Sequence, residues 1–328
     1  MLEYEDMISL ENLLGAWEEF IRGKRKREDV QKFQYYLSDN ILNLQRELKQ
    51  KVYHHKRYYA FNISDPKPRN IHKASVEDRV VHRAIYRKLY LYFDSRLIFD
   101  AYSCREYKGT HRALNRFRDF GRKVSKNHTK TCWVLKCDIR KFFASVDQTI
   151  LLNILRKHIT DTDILWLLER IITSFHSTKQ GTGLPLGNLT SQLLVNIYMN
   201  EFDQWMKHQM KVKYYIRYAD DFVILSQDKD YLLELTPKIA DFLEENLKLQ
   251  LHPNKVFIKT FSSGVDFLGW VHFEDHRVLR TATKKKMFRN LKEKEREKRE
   301  DSVASYLGML EWGNGYKLGG MVSTLSAT

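Results

Sequence analysis

No stretch of this 328-residue chain stays apolar for the length of a bilayer, and its opening, MLEYEDMISL, is too acidic for a signal or transit peptide. A membrane protein is not expected, and the reading is a chain of the cytoplasm. Cysteine is nearly missing. The three present, Cys104, Cys132 and Cys137, are odd in number and lack the close paired spacing of a zinc site, so they read as buried reduced thiols. The histidines are scattered too, and neighbours such as His54 and His55 point to opposite faces of any strand, so no structural metal is assigned. Internal repeats and long flexible linkers are also absent, which favours one continuous body.

What the chain does have is core and positive charge. A content of 43% hydrophobic and 13% aromatic residues suffices for a sizeable core. Lysine and arginine number 56 against 41 acidic residues, a formal net charge of +15. The partners of such a field are polyphosphate backbones or an anionic membrane, and with no membrane segment nucleic acid is the better reading.

Apolar spacing predicts helices over LENLLGAWEEFI, FQYYLSDNILNLQRELK and VEDRVVHRAIYRKLYLYF, with the Pro-punctuated segment FNISDPKPRNIHKAS as strand and turn between them. WVLKCDI alternates as a strand and places Asp138 away from its apolar face. LLNILRKHI and DILWLLERIITSF read as helices. LTSQLLVNIYMNEFDQWM reads as a helix with one apolar stripe of Leu189, Leu193, Leu194, Ile197, Phe202, Trp205 and Met206. YLLELTPKIADFLEENLKL follows as helix, KVFIKTF and VDFLGWVHF as short strands, and a basic stretch begins near Arg280.

The stretch YYIRYADDFVIL sets two strand-forming runs around Ala219, Asp220 and Asp221. It lacks the Asn-Gly or Asp-Gly that a tight hairpin prefers, so the carboxylates answer to something other than the turn. An antiparallel sheet can bring this hairpin beside the strand of Asp138, about 4.8 Å away. Three ionised carboxylates at that range would repel by roughly 4 kcal/mol per pair, and oxygen-only ligands of this kind suit Mg²⁺ or Mn²⁺. Two such ions would serve in-line phosphoryl displacement, the chemistry of a polymerase or nuclease.

These blocks, in this order, resemble the reverse transcriptases from about residue 55 onward. LKCDIRKFFASVD looks like the first catalytic block, GLPLGNLTSQLLVNIYMNEFD like the template and nucleotide block, and YIRYADDFVIL like the Tyr-x-Asp-Asp hairpin. LKLQLHPNKVFIKT and VDFLGW look like the fourth and primer-grip blocks. The resemblance implies an α+β right-hand polymerase: N-terminal helices and fingers over 1–130, palm over 131–270 with a fingers-connecting segment 151–187, and thumb over 271–328. It implies that Asp138, Asp220 and Asp221 hold two Mg²⁺ ions, or Mn²⁺, and that Lys255 acts near the leaving pyrophosphate as general acid. Phe143 would be the steric gate against ribonucleotides, and Arg69 and Lys67 of KPRN would hold the triphosphate. On composition alone Phe143 reads equally as a core aromatic, KPRN as a solvated loop, and Lys255 as a surface lysine.

GTGLPLG is no dinucleotide fingerprint, because Leu186 stands where that pattern needs its third glycine. Gly187 reads as a point where the backbone approaches a base pair closely. Where most reverse transcriptases carry Gln-Gly and then Ser-Pro, this chain has Leu186, Gly187, Ser191 and Gln192. That pattern looks like the enzymes of diversity-generating retroelements, in which loss of the Gln goes with low-fidelity copying of template adenines. Nucleic-acid contacts are expected from Arg105, Lys108 and Arg112 in SCREYKGTHRAL, from Gly269 and Trp270, and from Lys284, Lys285, Lys286 and Arg289. A solvated face is the competing reading for the first three.

The function expected is therefore RNA-directed DNA synthesis, with template RNA, a cDNA or primer and deoxynucleotides as partners, together with a small basic oligomeric accessory protein implied by the retroelement group. A defence-associated bacterial reverse transcriptase is the nearest alternative. A non-catalytic nucleic-acid binder on the same fold is disfavoured by the intact carboxylates, and an RNA polymerase by bulky Phe143. The chain ends soon after the thumb, which speaks against a self-splicing intron enzyme, and no Val-Thr-Gly thumb signature of retron enzymes is found.

Overall fold

The computed structural model describes residues 2–64, 68–293 and 296–327. Four helices open the chain: α1 (Tyr4–Ile8), α2 (Leu10–Ile21), α3 (Glu28–Tyr35) and α4 (Leu37–Lys49). A hairpin of β1 (Tyr59–Ile63) and β2 (Arg69–Lys73) precedes α5 (Val76–Asp94) and α6 (Gly109–Val124). Strand β3 (Trp133–Asp138) leads to the single turn α7 (Phe142–Ser145), then to α8 (Gln148–His158), α9 (Thr162–Ile172) and α10 (Leu189–Gln204). After a π-helical turn at Trp205–Gln209 come β4 (Tyr215–Tyr218), β5 (Asp221–Ser226), α11 (Lys229–Leu247) and β6 (Phe257–Thr260). The short strands β7 (Val265–Phe267), β8 (Trp270–His272) and β9 (Arg277–Leu279) precede α12 (Thr281–Glu293), α13 (Arg296–Leu310) and α14 (Tyr316–Ala327). The fold is α+β, with antiparallel sheets accompanied by helices, and among the described residues no helix is long and apolar enough to cross a membrane.

The chain forms two compact units, each from three separate stretches: Met1–Phe99, Ile139–Lys211 and Ile239–Leu251, and Asp100–Asp138, Val212–Lys238 and His252–Thr328. In the first, α5 packs against α2 and α10. Its N-terminus is set by Ser75, whose hydroxyl accepts from the Asp78 N–H and satisfies one of the donors a helix start leaves open. The single apolar stripe expected on α10 is exceeded: Val195, Asn196, Tyr198 and Met199 are buried as well, so the helix is covered nearly all round. Polar residues inside the hydrophobic run hid this, because a buried Asn or Tyr counts as outward in a simple periodicity.

In the second unit the main sheet runs β4-β5-β3-β6, with every neighbour antiparallel, and β7-β8-β9 form a separate meander. Phe117 and Phe120 of α6 meet Val134, Ile216, Val223, Phe261 and Phe267 in one apolar cluster, where each fully buried side chain stabilises by about 1.5–3 kcal/mol. Helix α6, for which the sequence predicts no element, carries Phe117 of this cluster at 0% exposure. Two further expectations are corrected. The run from Phe33 to Lys49 is broken at Tyr36 into α3 and α4, and Cys104 is exposed, while Cys132 and Cys137 are buried as expected.

Candidate active site

The hairpin of β4 and β5 closes through two residues, Ala219 and Asp220, between the paired Tyr218 and Asp221. Ala219 sits at φ +55°, a conformation a residue with a Cβ adopts at some cost, so the tip is held rather than relaxed. The holder is Arg217. Its side chain, 1% exposed, donates from Nη1 to the Ala219 carbonyl at 3.2 Å. Its backbone is fixed in turn, because its N–H donates to Asp100 O at 3.0 Å and its carbonyl accepts from Tyr102 N–H at 2.9 Å. Arg116 grips the Asp100 carboxylate through two nitrogens, at 2.8 and 3.2 Å. Such a fork on a planar carboxylate fixes orientation as well as distance.

Register brings the carboxylates together. Asp138, the last residue of β3, lies directly opposite Asp221, the first of β5, so their side chains share a face of the sheet, with Asp220 one residue before on the turn. The same face carries Lys136, and further along β3 and β5 it turns apolar with Val134, Val223 and Leu225. The sheet is therefore charged at one end and cored at the other. The expected split of this strand into one apolar face and one away from it is not kept: both faces are buried, and Asp138 is itself only 8% exposed.

Two lysines answer the carboxylates. Lys255 donates to Asp138 Oδ1 at 2.8 Å, and Lys136 stands 3.4 Å from Asp221 Oδ1. The second contact is an ion pair without hydrogen-bond geometry, and Asp221 Oδ1 is buried with no hydrogen-bond partner. Burial, then the neighbouring Asp221 charge, pushes the Asp220 carboxyl up to about 6. Burial raises Asp221 too, and Asp138 adds to it against the pull of Lys136. Among the described residues no three His, Cys, Asp or Glu side chains are drawn into one ready-made metal-binding group. The donor set nonetheless fits a hard divalent cation: oxygen only, mutually repelling, and with one buried carboxylate oxygen unsatisfied.

The nucleotide residues expected from the sequence lie in the first unit, where the structure joins several of them. Leu184 N–H donates to the Phe143 carbonyl at 2.8 Å, and Phe143 itself is partly exposed on α7. His72 of β2 donates from its N–H to Leu186 O at 3.1 Å, and its carbonyl accepts from Asn188 Nδ2 at 2.9 Å. These two bonds fasten the hairpin that carries exposed Arg69 to the 186–188 loop. Asn188 is the N-cap residue of α10, yet it makes no cap bond, because its amide is turned to His72. Gly187 has φ +103°, and a Cβ there would meet Ile71 Cγ2 at 3.0 Å; the close approach it permits in this structure is to β2. Gln192 is partly exposed on the first turns of α10, and Lys67 lies outside the described residues.

One turn further, Thr190 Oγ1 bonds His82 Nδ1, and His82 Nε2 lies 3.0 Å from His55 Nε2. His55 Nδ1 lies 2.7 Å from Lys56 O, which can only accept, so in the neutral ring its Nε2 is bare. His82 must then donate from Nε2 and accept at Nδ1, and Thr190 must donate. With both rings neutral, the direction of every proton in this chain follows from its ends. Burial supports neutrality, pushing His82 down to about 3. His55 lies outside any strand and takes part in this chain.

The remaining residues are dispersed in the second unit. Arg105 donates to Ala101 O at 3.0 Å, Lys108 lies over the Tyr102 ring, and Arg112 is exposed. Gly269, at φ +89°, and Leu268, at φ +50°, form the two-residue turn between β7 and β8, where both central residues must take positive φ. Trp270 is 4% exposed and packs in the core beneath that turn. Lys284, Lys285 and Arg289 are exposed on α12 and Lys286 is partly so. Sequence reasoning missed Lys136 and Arg217. A lysine in mid-strand and an arginine between Ile216 and Tyr218 carried no signal except their own improbability in a buried strand.

Adjacent strands that meet in carboxylates, a constrained aspartate turn and lysines at their flank fit the chemistry of nucleotidyl transfer. Residues 62–272 match the family model described as reverse transcriptase (RNA-dependent DNA polymerase), and the chain belongs to that family. It is 25% identical to protein YkfC of Escherichia coli K12 over 288 residues, 75% of this chain and 72% of that protein. It is 22% identical to the group II intron-encoded protein LtrA of Lactococcus lactis, covering 70% of this chain and 48% of LtrA. Against the putative COX1/OXI3 intron 2 protein of Saccharomyces cerevisiae, at 23% identity, it spans 24% of the relative's length. The fold resembles that of apo telomerase from Candida tropicalis, with a TM-score of 0.53 at 12% identity over 74% of this chain and 60% of that one. The Candida albicans telomerase gives a TM-score of 0.51 at 12% identity over 70% of this chain and 46% of that one. Membership of the family carries with it dependence on a divalent metal.

Proposed function

We propose that this chain copies a template RNA into DNA, with Asp138, Asp220 and Asp221 holding two Mg²⁺ ions. The observation that carries the reading is the register of Asp138 against Asp221, with Asp220 on a turn that Arg217 holds in place. Bound there, the ions would stabilise charge on the attacking and leaving oxygens of an in-line displacement. Lys255 holds Asp138 and stands ready to give a proton to departing pyrophosphate, and Lys136 holds Asp221. Phe143, Leu186, Gly187 and Gln192, with Arg69 on the adjoining hairpin, bind and orient the deoxynucleotide. The first 130 residues serve as N-terminal helices and fingers, 131–270 as palm and 271–328 as thumb, and the enzyme works in the cytoplasm.

Leu186 supports the narrower reading, an error-prone enzyme of a diversity-generating retroelement acting with a small basic accessory protein. A branched side chain there cannot make the hydrogen bonds of an amide, so base selection loses a constraint. A role in defence is the second reading on the same active site. The test is cDNA synthesis on a primed RNA template with Mg²⁺ and deoxynucleotides, followed by sequencing, for the wild-type chain, Asp220→Ala and Leu186→Gln. Product should vanish in Asp220→Ala and show fewer errors opposite adenine in Leu186→Gln. Synthesis surviving in Asp220→Ala would remove the carboxylate assignment, and an unchanged error spectrum in Leu186→Gln would remove the retroelement reading.

A further inference from the structure

A cavity of about 310 Å³ in the second unit, apart from the carboxylates, is walled by α6, the turn between β8 and β9, and the loop joining α13 to α14. Arg118, His272 and Arg277 lie in its wall, and each has a buried side-chain nitrogen with no hydrogen-bond partner: Arg118 Nε, His272 Nε2 and Arg277 Nη1. His272 is 1% exposed and Arg277 9%, so water does not freely serve those groups. A buried polar nitrogen left unmade costs about 1–3 kcal/mol, and three from three elements at one cavity wall call for a common partner.

Asp275 and Glu311 also line the cavity, but among the described residues neither pairs with Arg118 or Arg277. Arg277 directs Nε to the Trp312 carbonyl and Nη2 to Asn115 Oδ1 at 3.2 Å, both neutral oxygens, which leaves Nη1 over. Among the described residues Arg118 has Asp119 at 3.9 Å, beyond hydrogen-bond reach, and its side chain is 42% exposed although its Nε is buried. At the rim Asp275 is 2.6 Å from His276, and Glu311 is exposed. His111, stacked 3.8 Å from Trp312, faces Arg277 as well. The cationic groups disfavour one another: after burial, Arg277 and Arg118 lower His272, and Arg118 lowers Arg277. The wall is also built closely. A Cβ on Gly313 would collide with the Trp270 ring and fall 2.9 Å from the Arg277 carbonyl, so only glycine lets the loop close over the arginine.

We propose that this cavity is a binding site for a phosphate group, held by Arg118, His272 and Arg277. A tetrahedral oxyanion offers acceptors to both guanidinium groups, and in inorganic phosphate or a phosphomonoester a protonated oxygen can also donate to the bare Nε2 of His272, whose ring is held by the Phe267 backbone; a strand phosphodiester, which has no such proton, engages the two guanidinium groups alone. The phosphate is that of a bound nucleic-acid strand or of free phosphate or nucleotide. The strand source rests on the polymerase reading; the phosphate site itself does not.

The full chain is titrated with inorganic phosphate, and separately with an RNA–DNA duplex across a range of salt. Arg118→Gln and His272→Phe are compared with the wild type, the second keeping a ring against Phe117. Phosphate should bind the wild type at one site, at least fivefold more weakly in each variant and not measurably in the double variant, all at unchanged melting temperature. Displacement of phosphate by duplex, with a salt slope reduced by about one in Arg118→Gln, identifies a strand phosphate. Phosphate binding that duplex leaves untouched identifies a free ligand. If neither phosphate nor duplex distinguishes the folded variants from the wild type, the cavity holds water and the proposal falls. Phosphate binding by a chain that makes no cDNA would sink the polymerase reading and leave this one standing.

Discussion

Asp220 carries the clearest thermodynamic signature of the site. Its carboxyl keeps a proton up to about pH 6 in the folded chain but only to 3.8 in the reference state. Between those values the folded state binds more protons, so stability falls as pH rises through the window, and above it the full cost of the buried charge is present. Asp220→Asn should therefore stabilise the metal-free chain at pH 8 by on the order of 1–3 kcal/mol, and hardly at all at pH 4. Urea unfolding in chelator at the two pH values measures this, and equal effects at both would contradict the buried, repelled carboxylate. The three aspartates were legible because no turn preference accounts for two adjacent ones between strands. Arg217 was not, since its partners include Asp100 and Ala219, and nothing in the letters of a strand names a partner over a hundred residues away.

The first turn of α10 answers to neighbours beyond its own helix. Asn188 leaves its cap position unbonded to hold His72, and Thr190 donates into the His82–His55 chain. Asn188→Ser should keep or improve the cap while releasing β2, so the melting temperature holds and the KM for deoxynucleotide rises severalfold. Thr190→Val removes one hydroxyl at nearly constant shape and should lose about 1–3 kcal/mol of stability, with Thr190→Ser restoring it. Primed-template kinetics and thermal melts separate the two; an Asn188→Ser chain with unchanged KM would make the His72 clip a structural detail only. Helix α10 itself was readable from its apolar content and the hairpin from its strand formers. Their attachment was not, because a backbone bond from His72 to Leu186 depends on no side chain and leaves no pattern in residue type.

Over the whole chain the excess of 56 basic over 41 acidic residues was the first pointer to nucleic acid, and it says nothing about where the strand lies. Helix α12 offers a definite place: Lys284, Lys285, Arg289 and Lys292 are exposed there together, around Phe288, along a cavity of about 540 Å³. If this stripe touches phosphates, each contact releases condensed counterions, and log K falls with log salt by about 0.9 per contact on duplex DNA. Replacing Lys284, Lys285, Lys286 and Arg289 by Ala should then weaken primer-template binding and cut the salt slope by about two to four. Loss of net charge alone would lower the affinity somewhat wherever the cations were removed. The comparison that decides is Ala at Arg22, Arg25, Lys26 and Arg27, four exposed cations of the break between α2 and α3. With the same change of charge, that variant should keep its salt slope, as measured by fluorescence anisotropy between 50 and 300 mM salt, an interval wide enough to resolve one contact. Equal loss of slope in both variants would mean that the chain holds nucleic acid by its general field and that α12 has no special part in it.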